Sequence, residues 1–174
     1  SSWTGSDPRD LYLVSVYAEF DDAADRVVAV YGSNSNATNL SVTTDDASGF
    51  WQYDQAGGAS PGDFNTSLDI TAVHALNPSS AFDSFLTIGL QNETDNQLQE
   101  IGIASLSEWD SFNDGSGSLT VTNGAIFVTP DDIQGDAGAE GKVLIGQFAV
   151  GAGTHLDATF NIQYRDNANE TQYG

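Results

Sequence analysis

Apolar and polar residues alternate along most of this chain in short runs, separated by clusters of Gly, Asn, Asp and Ser. A period of two residues is typical of β-strands buried on one face, and turn-forming residues mark the strand ends. Strands are predicted at residues 11–20, 26–31, 40–44, 49–53, 68–73, 85–91, 98–106, 118–122, 125–129, 142–150 and 155–165. So many short strands in one small domain predict an all-β fold, arranged as a two-sheet β-sandwich.

The pattern also predicts how the chain is divided. Residues 21–165 are expected to form the β-sandwich domain, 1–20 a leader with the first strand, and 166–174 a polar C-terminal tail that leads out of the domain. Residues 155–165 show the clearest alternation and are predicted to form a single strand. The Asn123-Gly124 pair lies between two predicted strands, which favours a two-residue hairpin turn.

The first predicted strand is unusual because both of its faces are largely apolar. One face carries Tyr12, Val14, Val16, Ala18 and Phe20, and the other carries Leu11, Leu13 and Tyr17. A polar leader precedes this strand and an acidic turn at 21–25 follows it. Such a strand can be an ordinary edge strand of its own sandwich, or it can leave and complete a neighbour's sheet by strand addition.

The chain is strongly acidic, with 25 Asp and Glu residues against four Lys and Arg residues and a formal net charge of −21. Nucleic acid is excluded as a partner because its phosphates are bound by clustered cations. No apolar run approaches the ~20 residues that span a bilayer, so membrane insertion is not expected. A composition rich in Ser, Thr, Asn and Asp and poor in Lys indicates a secreted protein, located outside the cell or on its surface.

Few residues of this chain are candidates for catalysis. The two histidines, His74 and His155, lie in neither a nucleophile elbow nor a metal-binding motif. Two carboxylates across a cleft can hydrolyse glycosidic bonds, but the Glu residues lie mostly in predicted turns or on polar faces. The protein is therefore not expected to be an enzyme, and an acidic glycosidase is the weakest of the alternatives.

Acidic loops are candidates for Ca²⁺, which prefers several oxygen ligands. Asp131, Asp132 and Asp136 are the strongest set because the three acids lie within six positions of a Gly-rich loop. Asp is also common in turns because it bends and caps the backbone, so the same residues can be plain turn residues. Calcium is the one cofactor considered, and no other is expected.

Five Asn-x-Ser/Thr motifs are candidate sites of N-linked glycosylation. Their acceptor residues are Asn36, Asn39, Asn65, Asn92 and Asn169. All five lie in predicted loops or in the tail, and none has Pro in the middle position. The sequence therefore predicts N-linked glycans on this domain.

Four stretches of the chain resemble a recurrent family of secreted modules of uncharacterised function, found in planctomycetes and other aquatic microbes. They are VYAEFDDAADRVVAVYG (16–32), SGFWQY (48–53), FDSFLTIG (82–89) and FVTPDDIQGDAGAEGKVLIGQF (127–148). The chain departs from the family pattern at Phe85 and Leu86, where members usually have Trp and Val. The resemblance implies an immunoglobulin-like or jelly-roll β-sandwich and no catalytic residues.

The chain also looks similar to protomers of extracellular fibrils that polymerise by donor-strand exchange. This implies a structural subunit of a secreted, glycosylated, helical filament, in which copies of the chain are each other's partners. The donor strand would contain Leu11, Tyr12, Leu13, Val14, Val16, Ala18 and Phe20.

The alternative is a monomeric carbohydrate- or calcium-binding module of a larger surface protein. Its candidate sugar-stacking residues are Trp51, Tyr53 and Trp109, which can equally be core residues. The two functions differ in what they predict for the first strand. A filament subunit is expected to leave the strand detached from its own core, whereas a binding module is expected to pack it there.

Overall fold

The computed structural model describes residues 10–35, 38–52, 81–89, 97–168 and 170–174. Its strands are β1 (Leu11–Glu19), β2 (Arg26–Gly32), β3 (Leu40–Thr44), β4 (Phe85–Leu86), β5 (Gln99–Ile101), β6 (Ser118–Val121), β7 (Gly124–Phe127), β8 (Lys142–Gly151), β9 (Leu156–Thr159), β10 (Asn161–Arg165) and β11 (Thr171–Tyr173). One α-helix, α1 (Ser107–Asn113), and two 3-10 turns, Ile133–Gly135 and Gly138–Glu140, complete the described elements. Among them, no helix combines the length and the apolar character that crossing a membrane requires.

The strands form three antiparallel sheets, each named here after its central strand. The β8 sheet has the order β1-β8-β4, the β2 sheet has the order β11-β10-β2-β7-β5, and the β3 sheet has the order β6-β3-β9. The predicted all-β, sandwich-like fold is confirmed. Its described strands divide among three sheets, where two were expected.

A single hydrophobic core joins the three sheets. Val30 of β2, Leu40 of β3 and Phe148 of β8 are all fully buried in it. Helix α1 contributes Trp109 and Phe112, which lie three positions apart and therefore on the same helical face. Their rings stack with a centroid separation of 5.5 Å. Trp109 is thus a core residue, as one of the two sequence interpretations proposed.

The residues predicted as one strand at 155–165 form two strands in different sheets. The strand pattern breaks at Phe160, so that β9 pairs with β3 and β10 pairs with β2. Leu156, Phe160 and Ile162 nevertheless all pack against the core. These three apolar side chains therefore reach one core while the chain passes from one sheet to the next, although Ala158 between them is exposed.

The hairpin predicted at Asn123-Gly124 is wrong. β6 pairs with β3, whereas β7 pairs with β2 and β5, so the two strands flanking this dipeptide lie in different sheets. The turn is a crossover between sheets. Gly124 lies opposite Gly32 of β2 in the pairing of β2 with β7.

Other predicted strands are shorter in the structure. Within the strand expected at 98–106, only β5 is a strand, and within that expected at 85–91, only β4 is. The described residues 49–52 of the strand expected at 49–53 form no strand. Residues 68–73 lie outside the described part of the chain. Helix α1, which follows β5, was not predicted. At the C-terminus, β11 pairs with β10 within the residues expected to form an outward-leading tail.

Gly32 lies at the end of β2, where the backbones of two sheets approach each other. A Cβ atom at this position would lie 1.8 Å from the carbonyl oxygen of Val121 in β6. No side chain fits there without moving one of the sheets. By contrast, a Cβ atom at Gly117 would meet its nearest neighbour, the carbonyl oxygen of Thr44, at an ordinary contact distance of 3.4 Å.

We expect Gly32→Ala to lower the free energy of unfolding by about 1–3 kcal/mol, the usual cost of overpacking a rigid site. Gly117→Ala is the matched control and is expected to change stability by less than about 1 kcal/mol. Urea unfolding of the two variants, followed by circular dichroism, measures the difference. Equal stability of the two variants would contradict the close approach of β2 and β6.

Candidate functional site

β8 is the most deeply buried strand of the structure. Every residue from Val143 to Gly151 is buried, and only Lys142 at the start of the strand is exposed. The sequence explains this burial because 142–151 is nearly continuous in apolar and small residues, with no charge after Lys142. A strand covered on both faces can receive a further strand only along an edge. β1 occupies one edge of β8, and β4 pairs with two residues of the other.

β1 lies antiparallel to β8 along its whole length, from Leu11 opposite Gly151 to Glu19 opposite Lys142. The register shifts once, between Val16 and Tyr17, because Ile145 of β8 is an extra residue that forms a β-bulge. We call this edge of β8, together with the core side chains that β1 covers, the β1 seat.

One face of β1 packs into the β1 seat. Val14, Val16 and Ala18 lie opposite Phe148, Gly146 and Val143 of β8. The space above Gly146 is filled by the ring of Phe148, whose atoms would lie 2.9 Å from a Cβ atom added there. Ala18 is buried, and Val16 is partly buried against the core cluster. The face predicted from the sequence also includes Tyr12, which is 64% exposed, so this face is covered only from Val14 onward.

The other face of β1 is open. Leu13 and Tyr17 keep 40% and 39% of their surface exposed. The Nζ atom of Lys142 lies 4.8 Å from the centroid of the Tyr17 ring, in cation–π contact. Both faces of β1 are apolar in sequence, but only one is covered within the chain.

The β1 seat is filled in this structure by the chain's own first strand. The expectation that a filament subunit leaves this strand detached is therefore not met in the single chain. β1 is the first of the described strands and lies at the edge of the β8 sheet. It is joined to β2 by residues 20–25 alone, which we call the hinge turn.

The hinge turn is held by several hydrogen bonds. Phe20 N donates to Gly141 O at 2.8 Å, and the Phe20 ring lies 5.3 Å from that of Tyr164 in β10. Asp22 accepts two bonds, from Ala24 N at Oδ1 (2.9 Å) and from the side-chain nitrogen of Asn167 at Oδ2 (2.6 Å). The Asp22–Asn167 contact joins residues 145 positions apart, and no motif in the sequence indicates it.

The three candidate calcium ligands have different surroundings. Asp132 caps the 3-10 turn that follows it by accepting a bond from Gln134 N at 2.9 Å. Asp136 forms an ion pair with Arg26 at 3.1 Å, and Asp131 is exposed. Within the described ranges, no group of three His, Asp or Glu side chains is arranged to hold a metal ion. Calcium at these residues stays a prediction.

His155 lies in an exposed loop beside Asp45. Asp45 accepts hydrogen bonds from the backbone nitrogen of His155 at 2.7 Å and from its ring Nδ1 at 3.1 Å. The backbone bond from His155 is the main reason why the pKa of the Asp45 carboxyl lies below its usual value, and the bond from the His155 ring lowers it further. The side chain of the adjacent Asp46 accepts a hydrogen bond from Gly151 N at 2.7 Å, so the loop that carries Asp45 and Asp46 also contacts the end of β8. His74 lies outside the described residues.

The predicted glycan acceptors fall mostly outside the described residues. Asn39 is described, and it is exposed immediately before β3. Asn36, Asn65, Asn92 and Asn169 lie outside the described part of the chain. Trp51, a candidate for sugar stacking, is partly buried and donates its backbone N–H to Ala149 O of β8 at 2.9 Å. Tyr53 is not among the described residues.

Comparison of this chain with protein-family models, curated proteins and solved structures found no match. The resemblance to secreted modules of aquatic microbes and to fibril protomers therefore stays a prediction. The functional argument depends on the β1 seat itself.

Proposed function

We propose that this protein is a structural subunit of a secreted, glycosylated extracellular filament, and that it polymerises by exchanging β1 between copies. The observation that carries the proposal is the position of β1. It is a nine-residue edge strand, the first of the described strands, paired along its whole length with β8 and joined to β2 by one short turn. Strand exchange repeats these contacts with β1 supplied by another copy.

The distribution of charge supports the same proposal. Copies with a net charge of −21 repel one another, and salt weakens that repulsion. Residues 11–18 contain no charged side chain, and Glu19 lies opposite Lys142 across the β1–β8 pair. β1 is thus a part of the chain that can enter another copy without adding to the repulsion. Apolar burial and backbone hydrogen bonds hold it there.

A monomeric carbohydrate- or calcium-binding module is the second candidate. It is favoured by the packing of β1 against its own core, which such a module requires. In both proposals the β1 seat is filled and the contacts within it are the same. The question that separates them is whether β1 and β8 belong to one copy or to two.

We expect the double variant Glu19→Cys and Lys142→Cys to form disulfides between copies. The two residues are directly paired, and the chain contains no other Cys. Paired positions of an antiparallel ladder are close enough for a disulfide. After incubation at high protein concentration and oxidation, exchange gives a ladder of covalent multimers on a non-reducing gel. Intramolecular disulfides alone, in every condition, would contradict strand exchange.

Val16→Asp is expected to abolish the multimers when it is added to this cysteine variant, because the charge would lie against the core beneath β1. Leu13→Asp is the matched control. It adds the same charge to the open face of β1, where Leu13 is 40% exposed, and is expected to leave the multimers in place. Equal loss of multimers in both variants would indicate a general effect of charge.

N-linked glycans are expected on the native protein. Peptide mass spectrometry should find hexose-containing adducts on Asn36 or Asn39 and on Asn65 or Asn92. Asn161 is the internal control, because it lies in no acceptor motif and its side chain donates to Tyr31 O at 2.9 Å. Unmodified masses at all five acceptors would contradict the glycan prediction.

Calcium binding at the 131–136 loop is tested best through Asp131. Its carboxylate is exposed, so Asp131→Asn spares both the Asp132 cap and the Asp136–Arg26 pair. If the loop binds calcium, the ion raises the melting temperature, since a ligand at ~100 times its Kd stabilises by about 2.7 kcal/mol. Asp131→Asn should reduce this shift and Asp114→Asn should not. Identical melting in calcium and in chelator would leave these residues as turn formers.

A further inference from the structure

The hinge turn is anchored on both sides of a single residue, Asp21. On the N-terminal side, Phe20 is held by Gly141 O and packs against Tyr164. On the C-terminal side, Asp22 is held by Asn167 and caps the backbone at Ala24. Asp21 itself lines an open cavity of about 380 Å³ and makes no hydrogen bond within the described part of the chain.

This anchoring limits how far β1 can reach. Two residues of extended chain span at most about 7 Å, so Phe20 cannot move farther than that from an anchored Asp22. In an exchanged pair, Phe20 of the first copy would lie against the second copy, while Asp22 of the first copy would remain anchored on the first copy. An anchored hinge would therefore force the two bodies together at the cavity lined by Glu19, Asp21 and Glu140, where like charges oppose contact.

Release of the hinge turn removes this limit. If the turn opens as far as Arg26, where β2 is held by the Arg26–Asp136 ion pair, five residues lie between the two anchors, which are six Cα–Cα steps apart. Six extended steps span about 20 Å, which is enough to separate the two acidic faces. Three backbone bonds must open in the same step: from Gly138 N to Ala23 O, from Ala137 N to Asp25 O, and from Asp25 N to Asp22 O within the turn.

We infer that the contact between Asp22 and Asn167 is a clip that holds β1 in its own seat and must open before the strand is exchanged. This inference rests on the proposed filament function and adds a regulatory contact to it. Asp22 is suited to this role because its two carboxylate oxygens fix the turn at two points, one inside the turn and one on the segment after β10. The clip is autoinhibitory, since it stabilises the closed monomer and makes no contact with the core.

The test uses the cysteine variant Glu19→Cys and Lys142→Cys and measures how fast disulfides form between copies. Asp22→Ala removes the clip together with the Asp22 bond to Ala24 N and should accelerate exchange about five- to tenfold. Asp21→Ala is its matched control, because it removes the same charge one position away. Asn167→Ala keeps the net charge and should accelerate exchange about fivefold, whereas Asn123→Ala, an exposed Asn in the crossover between β6 and β7, should not.

Far-ultraviolet circular dichroism and size-exclusion chromatography of the reduced variants verify that each is a folded monomer at the start. If Asp22→Ala and Asn167→Ala exchange as slowly as their controls while all of them do exchange, the clip is overturned and the filament proposal stands. If neither the parent cysteine variant nor any of the others forms disulfides between copies, the filament proposal is overturned and the clip with it.

Discussion

The structure depends on one constraint, which is that β8 is buried on both faces and so its backbone needs a hydrogen-bond partner along both edges. On one edge the partners come from several short pieces of chain: two residues of β4, the N–H of Trp51 and the Ser84 hydroxyl. On the other edge, the single strand β1 pairs with β8 along its whole length. The backbone hydrogen bonds of this edge are therefore satisfied only when a β1 strand is paired with it. The pairing itself does not require that strand to come from the same copy.

Under the proposed filament function, the contacts of β1 are the same in monomer and polymer, so the balance between the two would be set outside the β1 seat. The closed monomer benefits from the high effective concentration of a strand attached by a short turn. Exchange benefits from protein concentration, from salt that screens the acidic surfaces, and from any strain or loss of bonds in the hinge turn. The residues between Phe20 and Arg26 therefore influence assembly more than their exposed, polar character suggests. They decide how much free energy separates two states with the same core.

Features of the fold with a local physical cause could be predicted from the sequence. Period-two alternation predicted β1, β2, β3 and β8 to within one residue at each end. It also placed Val16 and Ala18 on one face of β1, and both pack on the core. The alternation does not reveal that the strand divides at Phe160. Leu156 before this residue and Ile162 after it pack against the same core, although β9 and β10 pair with strands of different sheets. Helix α1 is only seven residues long, and its one sequence signal is the spacing of Trp109 and Phe112. The clip was missed because Asp22 and Asn167 are brought together only by the packing of distant strands.

The acidity of the chain has a structural consequence beyond solubility. A long edge strand such as β1, which carries no charge from Leu11 to Ala18, exposes backbone groups that invite pairing with any other strand, and natural proteins limit this hazard with charge, bulges or short edges. Here the bulge at Ile145 disrupts the register of β8, and the other described edge strands are four residues or shorter. A surface with a net charge of −21 opposes random contact between copies on every side. In the proposed filament, association would be favourable only where it places the face of β1 with Val14, Val16 and Ala18 in a complete seat, so the repulsion that opposes aggregation would also favour strand exchange as the route to assembly.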